Sequence, residues 1–139
     1  MDANSIVVQL LLVSLGGAIG AVLRFAASLL SIYLLGDKFP WGTLGVNLVG
    51  CLLLGILFAA SQRDLHPHWK MLVGVGLLGA LTTFSAFSLD SFLLIRDQRW
   101  IAAFNYAAAS LLLGVVCVAV GNWLGESWLG PASINIPRG

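Results

Sequence analysis

Sorted into apolar and polar positions, the chain is four long apolar runs separated by short polar breaks. Residues 6–35 carry one charge, Arg24; residues 41–60 carry none; residues 71–95 carry only Asp90; residues 100–124 carry none. About 20 apolar residues at ~1.5 Å rise each suffice to cross the hydrocarbon core of a bilayer. Each run therefore predicts one membrane-spanning helix, and 1–139 reads as a single four-helix transmembrane domain. The breaks are Gly36-Asp37-Lys38-Phe39-Pro40, a stretch around Pro67 at residues 61–70, and Arg96-Asp97-Gln98-Arg99; a tail follows from Gly125. Connections this short predict an all-α, up-down-up-down bundle.

Composition agrees with this pattern and narrows the function classes. Of 139 residues, 59% are apolar and 9% charged, with a mean hydropathy of +0.96, far above that of a water-soluble domain. A net charge of +1, with no basic run, gives nucleic acid nothing to grip. Cys51 and Cys117 lie inside apolar runs, which predicts free, buried thiols. Residues 1–5 lack the basic segment of a secretory signal, and the first run is too long for one, so it is read as a retained helix. His66 and His68 flank Pro67 in a polar loop with no third ligand nearby, and they read as solvated residues. No hydrolase triad, phosphate-cradling loop or dinucleotide fingerprint is present, so an enzyme has no foothold.

Orientation follows the excess of Lys and Arg in cytoplasmic loops. Here Arg63, Lys70 and Arg138 fall on one side, against Lys38, Arg96 and Arg99 on the other. Two readings stay open. A weak bias is settled by Arg24 or by the insertion machinery, or both orientations insert and pair as an antiparallel homodimer with its axis in the membrane plane.

Three runs carry polar-to-small stripes at helical spacing. In the first, Ser14, Gly17, Ala21, Arg24, Ser28 and Ser31 share a face, with Gly16 and Gly20 forming a GxxxG pattern beside it. Close helix packing explains the glycines, whereas an intramembrane arginine must snorkel, pair or face water, and it points to a vestibule. In the second, Thr43, Asn47, Gly50 and Leu54 share a face; an interhelical hydrogen bond is a sufficient reason for Asn47 alone. In the fourth, Tyr106, Ser110, Gly114, Cys117 and Gly121 read as a packing seam.

The third run differs. Gly79-Ala80-Leu81-Thr82-Thr83-Phe84-Ser85-Ala86-Phe87-Ser88 places four hydroxyl residues in ten positions at mid-membrane depth. Hydroxyls that bond back to their own backbone, after a glycine, predict a helix broken near its middle. Irregular backbone at that depth is tolerated only when buried in protein or lining a polar cavity, so the break predicts a bound cation or a pore. Phe84 and Phe87, three apart, are neighbours on one face, with Ser85 and Ser88 beside them. The positive edges of such rings favour an anion, and the hydroxyls and the Asn47 amide supply donors in place of water. Residue chemistry alone reaches a narrow polar path for a small anion.

Three motifs in order, Gly16-Gly17-Ala18-Ile19-Gly20-Ala21-Val22-Leu23-Arg24, Trp41-Gly42-Thr43-Leu44-Gly45-Val46-Asn47-Leu48-Val49-Gly50 and the third-run sequence above, resemble the CrcB/Fluc fluoride channels, and Tyr106-Ala107-Ala108-Ala109-Ser110 extends the likeness to the fourth run. The resemblance implies a dual-topology antiparallel homodimer in the cell (inner) membrane, with two pores that pass fluoride down its gradient. It implies that Phe84 and Phe87 are ring-edge contacts, Asn47 an amide donor, Thr83, Ser85 and Ser110 polar lining, and Tyr106 a pore-side hydroxyl. Arg24 would lie at a vestibule, and the carbonyls of Gly79 and Thr82 from both subunits would hold one structural Na+ at the dimer centre. The implied partners are fluoride, membrane lipid and a second copy of the chain.

Against that pattern Ala80 replaces a common glycine, Ala86 a common threonine, Asp90 a frequent glutamate, and Gly114 stands where many members keep a hydroxyl. The alanines leave the carbonyls in place; Gly114 shortens the polar track. Two rival classes remain. A small multidrug-resistance-type exporter needs a membrane-embedded carboxylate in its first span, and that run has none. A purely structural assembly subunit accounts for the glycines but leaves Phe84, Phe87 and the threonine pair without purpose.

Overall fold

The computed structural model describes residues 3–63 and 65–130. Arg138, counted above in the charge balance, lies outside them. The described chain is helical and contains four helices long and apolar enough to cross a membrane, the form in which a backbone satisfies its own polar groups in lipid. They are α1 (Ala3–Leu35), α2 (Trp41–Ser61), a composite third span (Pro67–Arg96) and α6 (Trp100–Leu129). The last helix runs past the apolar stretch that ends at Leu124, and Asn122 donates to Glu126 at 3.0 Å across its final turns.

The third span is built from α3 (Pro67–Trp69), a π-helical stretch (Lys70–Leu78), α4 (Gly79–Leu81) and α5 (Phe84–Arg96). Between α4 and α5, Thr82 and Thr83 have extended backbone, with φ of −82° and −154°. The direction of the span changes by only 13° across the join, so it remains one rod across the bilayer. The threonine hydroxyls hold the junction locally. Thr82 Oγ1 donates to the Leu78 carbonyl at 2.9 Å, and Thr83 Oγ1 accepts the Ala86 amide at 3.2 Å as the N-cap of α5.

Helix packing follows the small residues. The broadest interface joins α2 to α6, and the next joins α1 to the π-helical stretch. A Cβ at Gly16 would fall on the Leu72 carbonyl oxygen, one at Gly20 on that of Leu77, and one at Gly76 would come within 2.7 Å of that of Val13. On the other seam, a Cβ at Gly121 would strike the Leu52 carbonyl, and one at Gly125 would lie 2.6 Å from Ala59. All but the Gly125 contact, which meets the Ala59 methyl, set backbone against backbone, the kind of approach that drives helix association where lipid removes the hydrophobic incentive. On α1 it is the Gly16 and Gly20 face that is buried, whereas Ser14 and Ala21 of the neighbouring stripe are exposed.

Two small cores lie between the helices. One gathers Leu44, Leu94, Ala103 and Tyr106, with Phe39 and Phe87 against them; the other gathers Val46, Leu78 and Leu81. Most remaining apolar side chains face outward, as a lipid-embedded helix requires. Cys51 and Cys117 are free, as read from the sequence, but half-buried rather than buried; the Cys51 sulfur lies beside Gly114 at the α2–α6 seam. His66 caps the short α3 turn, accepting the His68 amide at 3.3 Å.

Candidate functional site: a polar cleft beside the threonine junction

The extended Thr82 and Thr83 leave helical hydrogen bonds unmade, and α2 supplies replacements. Asn47 Nδ2 donates to the Thr83 carbonyl at 3.2 Å, while Asn47 Oδ1 accepts the Thr83 amide at 2.8 Å. Close approach is possible because Gly50, one turn along α2, has no side chain; a Cβ there would collide with Thr82 Cγ2. Asn47 thus braces the junction, and one Nδ2 hydrogen remains for another acceptor.

The junction also frees carbonyls. In an unbroken helix the Thr83 amide would reach the Gly79 carbonyl and the Ala86 amide that of Thr82. Here the first is given to Asn47 and the second to Thr83 Oγ1. Both released oxygens belong to residues lining a cleft of about 770 Å³ between α2, the third span and α6. Neutral carbonyl oxygens at a helix break are the donor chemistry a hard cation takes, so these residues fit a sodium ion.

Asn47, Thr82, Thr83, Phe84, Phe87 and Ser110 line that cleft, bringing together most of the site residues read from the sequence. Phe84 is 79% exposed and presents its ring to the opening; Phe87 is half-buried, with ring centroids 5.7 Å apart. Ser110 Oγ is buried and has no hydrogen-bond partner among the described residues, which leaves a hydroxyl in the wall of the cleft. Ser85 is exposed beside it, its hydroxyl 3.1 Å from Thr83 Oγ1, while Ser88 turns back to the Phe84 carbonyl at 2.9 Å.

Tyr106 and Arg24 are placed elsewhere. Tyr106 is fully buried in the first core and does not line the cleft. Its ring lies tilted against Phe87 at 5.2 Å and meets Phe39 edge to face at 5.6 Å, and its hydroxyl meets Asp90 Oδ2 at 3.3 Å. Asp90 and Thr43 line a second pocket of about 350 Å³, near Lys38 and Arg99 at the membrane end formed by the first and third breaks. A row of contacting aromatic rings, Phe84, Phe87, Tyr106 and Phe39, therefore runs from the Phe84 cleft to that pocket. Sequence reasoning saw Asp90 as the lone charge of the third run and as a departure from the family pattern, and missed this pairing, because the two residues sit on different helices. Arg24 borders neither pocket; its Nε is buried with no partner among the described residues, and Ser28 donates to its carbonyl at 3.0 Å.

Comparison with known proteins bears on this arrangement. Residues 11–122 match the model of the family described as CrcB-like protein, Camphor Resistance (CrcB). The chain belongs to the CrcB family. The matched region takes in the second and third spans whole, most of the first and fourth spans of this CrcB chain, and every residue of the cleft. Among its relatives, the fluoride-specific ion channel FluC of Shewanella woodyi is 47% identical over 117 residues, which cover 84% of this chain and 94% of that protein. The fluoride-specific ion channel FluC of Shewanella sediminis is 48% identical, with the same coverage, and that of Shewanella loihica 46%.

Proposed function

We propose that this chain forms a fluoride-selective channel, passing fluoride down its electrochemical gradient and lowering cytoplasmic fluoride without catalysis. The observation that carries the reading is the cleft in which Phe84, Phe87, Ser110 and the free Asn47 hydrogen converge. Its physical demand is steep: a small anion gives up its hydration only where fixed donors and ring edges replace it. The names of relatives nearly half identical over most of the chain supply the ion.

The cleft is open on one side and the exposed Phe84 projects from it, so the channel is read as an antiparallel homodimer in which a second copy closes the path. The even division of loop cations supports dual topology, and two clefts per dimer give two pores. The helix break at Thr82 and Thr83 would then face the same break in the partner. The released carbonyls of Gly79 and Thr82, from both copies, would hold one structural sodium ion at the centre, where it supplies fixed positive charge between two anion paths. Ser85 would line the mouth, Arg24 would raise the potential of a vestibule, and Tyr106 would act through Asp90 at the far end. The setting is the cell inner membrane.

The exporter alternative finds no support, because α1 holds no carboxylate within its membrane-spanning length. The test is reconstitution of the purified chain into liposomes loaded with fluoride or chloride, with efflux followed by an ion-selective electrode. Rapid fluoride efflux and retained chloride are expected; equal leakage of both, or of neither, would sink the proposal.

A further inference from the structure

A third opening, of about 610 Å³, shares no residue with the Asn47 cleft and lies at the start of α6. It is lined by Phe39, Gln98, Arg99, Trp100, Ile101 and Asn105, among others. The α5–α6 turn fixes its mouth. Gln98 takes a left-handed φ of 58°, which lets the Arg99 amide bond back to the Leu94 carbonyl at 2.8 Å, a Schellman-type ending. The Arg99 guanidinium donates to the Lys38 carbonyl, and the Trp100 indole donates to Gln98 Oε1 at 3.1 Å. A cation and an interfacial indole are thereby held side by side at the level of the headgroups.

Below them the groove faces outward, with Ile101 79% and Trp100 57% exposed. One turn beneath Ile101, Asn105 is exposed and makes no hydrogen bond among the described residues. An amide turned to hydrocarbon is costly unless a ligand bonds it. At ~1.5 Å per residue, Asn105 lies about 9 Å deeper than Arg99 along the helix. The groove thus asks for a negative group at its mouth, apolar chain along Ile101, and an acceptor oxygen between the two.

Charge narrows the ligand. Arg96 is engaged by Asp97 at 3.3 Å, whereas Arg99 keeps further donors after bonding Lys38, and no carboxylate lines the groove. A zwitterionic lipid would bring its own ammonium against this cation. We propose that the groove is a binding site for an anionic glycerophospholipid, with its phosphate on Arg99 and an ester carbonyl on Asn105. The inference needs only the four-span embedding and is independent of the channel reading.

The test uses the full chain purified in detergent, supplied with equal amounts of phosphatidylglycerol and phosphatidylcholine of matched chains, and native mass spectrometry of the retained lipid. Phosphatidylglycerol is expected in excess, and Arg99→Gln is expected to cut that excess about fivefold, the effect of one basic side chain near an anionic surface. Because Arg99 also clasps Lys38, Asn105→Leu serves as the second variant and should lower total retention while leaving the clasp intact. Equal retention of both lipids, or unchanged retention in Asn105→Leu, overturns the proposal. So does an Asn105→Leu variant that separates into monomers with its lipid still bound, since a second copy would then cover the groove.

Discussion

Asn47 and Thr83 are joined by two hydrogen bonds in opposite directions, 3.2 and 2.8 Å long, so a side-chain amide replaces the neighbouring turn of helix. One residue therefore carries both the shape of the junction and a donor of the cleft. Replacing it with Leu should impair both. We expect fluoride efflux to fall at least tenfold and stability to drop by about 1–2 kcal/mol, the range for buried interhelical bonds in lipid. Efflux and thermal unfolding in the same detergent check this, and full stability would show that the junction holds itself.

The two phenylalanines should separate function from folding. Phe84 is exposed, so Phe84→Ala should lower efflux with little change in melting. Phe87 packs on Tyr106 at 5.2 Å, and Phe87→Ala should cost about 3 kcal/mol in addition to activity. Identical melting curves for the two variants would contradict the packing.

Ser110 predicts the opposite combination. Its buried hydroxyl has no partner among the described residues, so Ser110→Ala removes an unsatisfied group and should leave stability unchanged or slightly raised. Efflux should nevertheless decline. A variant with full flux would place the anion path away from this wall of the cleft.

The α2–α6 seam tolerates no added atom at Gly121. Gly121→Val would set its Cβ on the Leu52 carbonyl, and we expect loss of folded protein on size-exclusion chromatography, by overpacking of ~3 kcal/mol or more. Gly45, against which a Cβ meets nothing within 4 Å, provides the control: Gly45→Ala should fold normally.

Dual insertion is open to single-cysteine labelling on a background lacking Cys51 and Cys117. Gln62→Cys and Arg96→Cys, both at exposed loop-end positions, should each react from both faces of intact cells. Labelling of each from one face alone would establish a single orientation.

The four spans were legible because charge is nearly absent from them and concentrated between them, and the Gly16 and Gly20 pattern announced its seam. The junction was legible in part: Thr82 and Thr83 signalled a local lapse, yet the axis stays almost straight, since Asn47 and the two hydroxyls replace the missing bonds in place. What could not be read was pairing between helices. Tyr106 shares a stripe with Ser110 on α6, but the rotation of α6 against α2 sends its ring into the core and its hydroxyl to Asp90. Arg24 reads as a vestibule residue from its charge alone, while its position on α1 sets it apart from both pockets. The π-helical stretch at Lys70–Leu78 had no counterpart in the sequence pattern.

The glycine contacts between α1 and the third span bear on how the molecule operates. Interlocked main chains have no side-chain rotamers to give way, so sliding one helix past the other would drive carbonyl oxygens into backbone. Such a pair moves as one body or not at all. Any motion between inward-facing and outward-facing forms would have to take place at other joints, because between α1 and the third span the joint is fused. In the proposed channel this half of each subunit is a fixed wall past which the ion moves.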